Sequence, residues 1–250
     1  MKAVIITGGT RGIGRAIVDE VARQMLAGDP YIAGARLVVT YRSDTRSAEA
    51  LLQTLRCAGL DADVIEMDLE VPESINTFSS WVADTFESVG VLVNNAGTTH
   101  DGSFLSLNDA SVDRVLNANL VGTIDLTEQL LPLLRAALPA SVVFIASAAG
   151  VYGKAGQVPY ATTKGGLIGY TQLLARRFGR TGLQVNAVAP GFIATEMVAG
   201  LSPVMFEPIL NSASLGAMGT PGDVARVVCG LLQPGYIQAT TIKVDGGHLR

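Results

Sequence analysis

Cysteine and histidine are scarce: the 250 residues include two of each, Cys57 and Cys229, His100 and His248. Two cysteines cannot staple a disulfide scaffold, and neither lies in a C-x-x-C pair. With only two histidines besides, a structural zinc site is excluded, and no metal is expected. Charge is sparse as well, at 16% of residues, with 22 acids against 18 lysines and arginines and a formal net charge of −4. That balance argues against a broad basic surface for nucleic acid. No run approaches the roughly 18 uninterrupted apolar residues of a membrane helix, so no membrane partner is expected. The opening Lys2-Ala3-Val4-Ile5-Ile6 imitates a secretion signal. Its apolar run stops at Thr7-Gly8-Gly9, short of the roughly 7–15 residues such a segment needs. A cytoplasmic protein with reduced thiols is the default expectation. Glycine is plentiful, at 28, but keeps no three-residue period, which excludes a collagen-like chain.

What is present is an apolar chain, 48% hydrophobic, able to build a sizeable core. Strand-length apolar runs at 3–7, 37–41, 63–67, 91–94, 142–146, 184–188 and 240–244 alternate with longer stretches of helical period. Those stretches are 13–27, 45–58, 73–88, 109–135, 159–178 and 221–232. Most of the strands are too uniformly apolar to have a wet face, which suits a parallel sheet covered on both sides. The alternation predicts an α/β fold, a doubly wound parallel sheet of about seven strands with helices on both faces. With no internal repeat and no low-complexity linker, residues 1–250 are expected to form a single domain. Gly28-Asp29-Pro30-Tyr31 lengthens one turn, and 192–219, with Pro203 and Pro208, predicts short broken helices at most.

The first strand runs into Thr7-Gly8-Gly9-Thr10-Arg11-Gly12-Ile13-Gly14, which opens the first helix. Glycines there let the backbone turn tightly and approach a pyrophosphate, while the helix N-terminus offers N–H donors. An NAD site needs an acid at the end of the second strand for the ribose 2′-hydroxyl. That end reads Thr40-Tyr41-Arg42-Ser43, with no acid until Asp44. Arg42 and Arg11 suit a 2′-phosphate instead, unless both are merely solvated, so the expected cofactor is NADP. Asp68, ending the third strand, suits an adenine amino group. Asn94-Asn95-Ala96-Gly97 ends the fourth strand at the edge where such sheets bind ligands, its amides suited to tying strand ends together.

Tyr160 and Lys164 are four apart on one helical face, where an ammonium would favour the phenolate. Ser147 ends the fifth strand, within reach of the tyrosine. With these residues in place the chain resembles the short-chain dehydrogenase/reductase family over essentially its whole length. The Thr7–Gly14 loop, Asp68, Asn94–Gly97, Asn119-Leu120-Val121-Gly122, Ser147 and Tyr160-x-x-x-Lys164 carry the resemblance. Asn186-Ala187-Val188-Ala189-Pro190-Gly191 and Val244-Asp245-Gly246-Gly247 complete it. The resemblance implies a Rossmann-type fold and a catalytic set of Asn119, Ser147, Tyr160 and Lys164. In it Tyr160 exchanges the proton, Ser147 holds the carbonyl oxygen, Lys164 binds the nicotinamide ribose, and Asn119 holds a relay water. It also implies cofactor contacts from Gly8, Thr10, Arg11, Gly12, Ile13 and Gly14, from Arg42 and Ser43, and from Asp68 and Leu69. Asn95, Ala96, Gly97, Tyr160 and Lys164 add to these, with Pro190, Gly191, Ile193 and Thr195 anchoring the nicotinamide.

Within that family the wording is most similar to 3-oxoacyl-[acyl-carrier-protein] reductases, through Val188–Met197 and Gly156-Gln157-x-x-Tyr160. The implied activity is NADPH-dependent reduction of a 3-oxoacyl thioester, with acyl carrier protein as partner and a homotetramer as assembly. Arg176, Arg177 and Arg180 suit an acidic carrier, though a helix C-terminus also favours cations. Arg177 stands where the family usually has an acid, and Ala217 where it often has an arginine, which favours a specialised acyl or polyketide pathway. The family's lid corresponds to 192–219, whose Met197, Leu201, Met205, Phe206, Ile209 and Leu210 suit an acyl chain or the lid's own packing. A reductase of a free small ketone would share every catalytic residue. A nucleotide-sensing protein that had kept only the fold would be expected to lack one of them. His100 and His248 are assigned no role.

Overall fold

The structure, a computed structural model, describes residues 1–103, 106–196, 207–208 and 210–248. The chain runs β1 (Lys2–Ile6), α1 (Gly12–Leu26), β2 (Arg36–Tyr41), α2 (Thr45–Cys57), β3 (Ala62–Glu66), α3 (Pro72–Thr85) and β4 (Ser88–Asn94). It continues through α4 (Asp109–Leu116), a π turn (Asn117–Val121), α5 (Gly122–Ala136), β5 (Ala140–Ile145), α6 (Ala148–Tyr152) and α7 (Val158–Phe178). The last elements are β6 (Leu183–Pro190), α8 (Pro221–Gly230) and β7 (Thr241–Val244). The seven strands form one parallel sheet in the order β3-β2-β1-β4-β5-β6-β7. Chain order reverses between β1 and β4, so their carboxyl ends flank the crevice where doubly wound sheets take ligands.

Alternation along each strand divides the core. Ala3, Ile5, Val38, Leu92 and Phe144 pack under α3, α5 and α7, through side chains such as Phe78, Leu130 and Leu167. Val4, Ile6, Leu37, Val39 and Val93 meet Ile17, Val21, Leu51 and Val228 of α1, α2 and α8 on the other face. Each such aliphatic side chain, fully removed from water, stabilises the fold by about 1.5–3 kcal/mol. The edge strands β3 and β7 are half-buried rather than covered.

The main departure from the sequence pattern is at 109–135, read as one helix. Its apolar period is continuous, but the backbone inserts a π turn at Asn117–Val121 between α4 and α5. A Cβ on Gly122 would lie 2.1 Å from the Leu69 carbonyl oxygen, so only glycine lets this turn sit against the loop between β3 and α3. The five-residue α6 was not foreseen, because it is too short to carry a period. α8 starts with a capping box between Thr220 and Asp223. Among the described residues no helix is long and apolar enough to cross a membrane. Of the 192–219 segment, residues 197–206 and Ile209 lie outside the described residues, and with them Met197, Leu201, Met205 and Phe206.

Candidate active site

The glycine loop is held from the neighbouring strand ends. Gly9 N–H donates to the Thr40 carbonyl at 3.0 Å. The Thr7 hydroxyl oxygen accepts the N–H groups of Asn95 at 3.0 Å and Ala96 at 2.9 Å. Asn95 Nδ2 returns to the carbonyls of Thr7 at 2.9 Å and Gly8 at 3.0 Å. Asn94 Nδ2 donates to Thr127 Oγ1 of α5 at 3.0 Å. These amides tie β1, β4 and α5 together, as the sequence suggested. Gly14 has no room for a side chain: a Cβ would meet the Gly8 carbonyl oxygen at 2.1 Å. α1 then begins without a side-chain cap and with no acid in its first turn. A helix start left in that condition beside Gly8 and Gly12 would suit the oxygens of a dinucleotide pyrophosphate.

The end of β2 supplies the charge. Asp44 is committed to α2, accepting from the Ser47 N–H at 3.0 Å and hydroxyl at 2.6 Å. Those bonds hold its carboxyl below the usual range. It is therefore not disposed as a ribose ligand. Arg42 is 53% exposed and contacts Glu70 at 3.2 Å, while Arg114 reaches the same carboxylate at 3.7 Å. Asp68 accepts the Glu70 N–H at 2.9 Å through one carboxylate oxygen. Leu69 is buried beneath them.

On the opposite side of the crevice the chemistry-bearing side chains converge. Ser147 caps α6, its oxygen accepting the Ala149 N–H at 3.1 Å, which leaves the hydroxyl proton for another partner. The nearby Ser147 hydroxyl pulls the Tyr160 phenol toward a lower pKa. Gly150 makes the approach possible, since a Cβ there would stand 2.6 Å from the Lys164 backbone carbon. Lys164 is 4% exposed, lies with Nζ 5.7 Å from the Tyr160 ring centroid, and donates to the Ile145 carbonyl at 2.7 Å. Burial brings its ammonium down to about 8.

Tyr160 departs from expectation in one respect. Its phenol is held above the ordinary value, first by burial, with the Ser147 hydrogen bond pulling down and the negative charge of Asp101 pushing up. The ammonium is in place, but its own desolvation is the dominant electrostatic fact about it. Asn119 is fully buried in the π turn. Its side chain clamps Thr98, accepting the N–H at 2.7 Å and donating to the carbonyl at 2.8 Å, and it reaches Thr163 Oγ1 at 3.3 Å. A Cβ on Gly97 would lie 3.1 Å from Asn119 Oδ1 and 3.5 Å from Lys164 Nζ, so these three residues meet.

The end of β6 closes the crevice. Gly191 donates to the Val244 carbonyl at 2.9 Å and packs on Asp245. Ile193 is buried, and the chain after it brings Thr195 Cγ2 to 3.7 Å from where a Cβ on Gly12 would stand. The segments around Gly12 and Thr195 thus face one another across the nucleotide crevice. His100 is exposed, and His248 stacks on Tyr152 with ring centroids 5.0 Å apart. Arg176, Arg177 and Arg180 are all exposed at the end of α7. Sequence reasoning missed Thr7 as a hub, Thr163 behind Asn119, Glu70 between two arginines, and the pairing of Asp101 with Gln157.

Comparison with known proteins agrees with this geometry. The family model described as short chain dehydrogenase matches residues 2–204. The chain is 37% identical to the 3-oxoacyl-[acyl-carrier-protein] reductase FabG of Aquifex aeolicus, over 98% of this chain and 96% of that protein. It is 34% identical to the protein of the same name from Pseudomonas aeruginosa, over 98% and 96%. Among solved structures it is similar to a short chain dehydrogenase from Burkholderia cenocepacia in complex with NADP. That match has a TM-score of 0.88, 30% identity, and coverage of 98% of this chain and 97% of that one.

Proposed function

Because the chain belongs to the short chain dehydrogenase family, we propose that it uses NADPH to reduce a 3-oxoacyl thioester to the 3-hydroxyacyl thioester. The observation that carries this reading is Lys164 Nζ, buried and 5.7 Å from the Tyr160 ring centroid, with the Ser147 hydroxyl acting on the same phenol. NADPH, when bound, supplies the hydride that adds to the substrate carbonyl carbon. Ser147 donates to the carbonyl oxygen and fixes it beside the phenol. Tyr160 gives its proton to the alkoxide that develops there, and a phenol held above its ordinary value keeps that proton available at neutral pH. Lys164, hydrogen-bonded to the end of β5, is positioned for ribose hydroxyls and for stabilising the phenolate left behind. Asn119 keeps Thr98, and through it the loop after β4, against the site.

NADP is favoured over NAD by the arginines at the end of β2 and by the engagement of Asp44 elsewhere. Arg42, half-exposed beside Glu70, and Arg11 would hold the 2′-phosphate. Support for an acyl thioester comes from the names of the relatives and from the apolar composition of 192–219. Arg176, Arg177 and Arg180 form the exposed cationic site for an acidic carrier protein. A homotetramer is supported by the resemblance and by Leu173 of α7, an apolar side chain left 59% exposed.

A substrate panel tests the reading. One 3-oxoacyl chain is presented on acyl carrier protein and on a small thiol, beside free ketones, each with NADPH and NADH. The carrier-bound thioester with NADPH is expected to give the highest kcat/KM, and Arg42→Ala is expected to lose roughly tenfold with NADPH alone. Preference for a free ketone would move the activity to a small-molecule ketone reductase, and preference for NADH would remove the phosphate site.

A further inference from the structure

Gln157 stands at the N-cap of α7, yet its side chain makes no capping hydrogen bond to that helix. Nε2 instead donates to Asp101 Oδ2 at 2.6 Å, across 56 residues of sequence. Thr99 Oγ1 donates to the other oxygen of the same carboxylate. Beside this pair the backbones join, with Gly102 N–H donating to the Gly156 carbonyl at 2.9 Å. Gly156 holds φ at +78°, a left-handed conformation that glycine adopts without strain. The loop that leaves β4 is therefore tied to the loop that opens α7. Tyr160 is the third residue of α7, so whatever fixes that first turn fixes the phenol. Two neutral donors satisfy the carboxylate without cancelling its charge, and an acid near a helix N-terminus is also favoured by the helix dipole.

We propose that Asp101 is a positioning residue for the reduction, pinning Gln157 and the first turn of α7 while setting a fixed negative charge within electrostatic reach of the Tyr160 phenol. This rests on Tyr160 acting as the acid–base group. Among the described residues, the other groups bearing on the phenol are Ser147 from the start of α6 and Lys164 one turn along α7. Lys154, in the same loop as Gly156, is turned over the Phe192 ring at 4.5 Å, and His100 beside Asp101 is exposed. Asp101 is the anion of this group, and it acts in the same direction as burial on the phenol. Asp101 is exposed, so its effect on the phenol is modest and salt-dependent.

The two functions of the carboxylate separate by mutation. Asp101→Asn keeps an acceptor for Gln157 and removes the charge; Gln157→Ala cuts the tie and keeps the charge. The assay runs in the oxidative direction, with NADP+ saturating and a 3-hydroxybutyryl thioester of a small thiol, where the phenolate is the active form and kcat/KM climbs with pH. Asp101→Asn is expected to move that limb down by about half a pH unit, giving about threefold higher kcat/KM on its acid side with KM unchanged. Gln157→Ala is expected to leave the limb in place and lower kcat about threefold, because a loosened first turn misplaces the phenol. NADPH binding by both variants shows that they fold. A profile for Asp101→Asn that superimposes on wild type, while Tyr160→Phe is inactive, overturns the role of Asp101 alone. An active Tyr160→Phe overturns the reading on which it rests.

Discussion

Lys164 is a charged group in the wrong place for stability. It is 4% exposed and its ammonium is brought from 10.5 to about 8 by burial. That difference corresponds to about 3 kcal/mol of disfavoured charging. Below pH 8 the lysine is protonated in both folded and unfolded chains and the penalty is full. Between about 8 and 10.5 the unfolded chain binds the extra proton, so stability rises with pH through that window. Lys164→Met should therefore stabilise the fold at pH 7 by about 1 kcal/mol, because the orphaned Ile145 carbonyl offsets part of the gain. The advantage should shrink by pH 10, and turnover should be lost. Denaturant unfolding at the two pH values checks the sign; a destabilised variant at pH 7 would contradict it. Ser147, Tyr160 and Lys164 were legible because their residue types and spacing imply proton chemistry. Asp101 and Gln157 were not, since a surface acid and a glutamine 56 residues apart carry no periodic signal.

At the level of elements, strands and helices were legible because apolar period follows burial, and five of the seven strands are interior. The π turn was illegible for a physical reason. The apolar face of 109–135 runs unbroken from α4 into α5, while the added residue shows only in the hydrogen-bond ladder, where it buries Asn119. The glycine loop was read as a phosphate cradle, yet the structure gives its glycines a second duty in packing. Gly9 leaves 2.4 Å between a Cβ and Val39 Cγ1, and Gly14 leaves 2.1 Å to the Gly8 carbonyl. Gly14→Ala should cost about 1–3 kcal/mol of stability and weaken NADPH binding together, because loop and helix start move as a unit. Thr220→Ala, in the capping box of α8 and next to the Gly219 that pairs with Ile193, should cost about 1 kcal/mol and weaken binding less than Gly14→Ala does. Thermal unfolding and fluorescence titration of NADPH separate the two cases.

Across the whole molecule, α5 and α7 cover one face of the sheet and leave apolar side chains outward. Leu173 of α7 is 59% exposed and Val121 of the π turn 56%, while Ile124 and Leu131 pack partly buried against the core. Sedimentation should give a species of four chains, and Leu173→Asp should shift it to smaller ones; a monomer at micromolar concentration would contradict this. The sheet also places its candidate groups in separate halves, with β1 and β2 carrying the glycine loop and Arg42, and β5 with α6 and α7 carrying Ser147, Tyr160 and Lys164. Binding and chemistry should therefore come apart in a single variant. Tyr160→Phe tests this most directly when turnover and NADPH affinity are measured on the same preparation. The account predicts kcat reduced by about 10²–10⁴-fold with nucleotide affinity within twofold of wild type. Turnover within tenfold of wild type would contradict it.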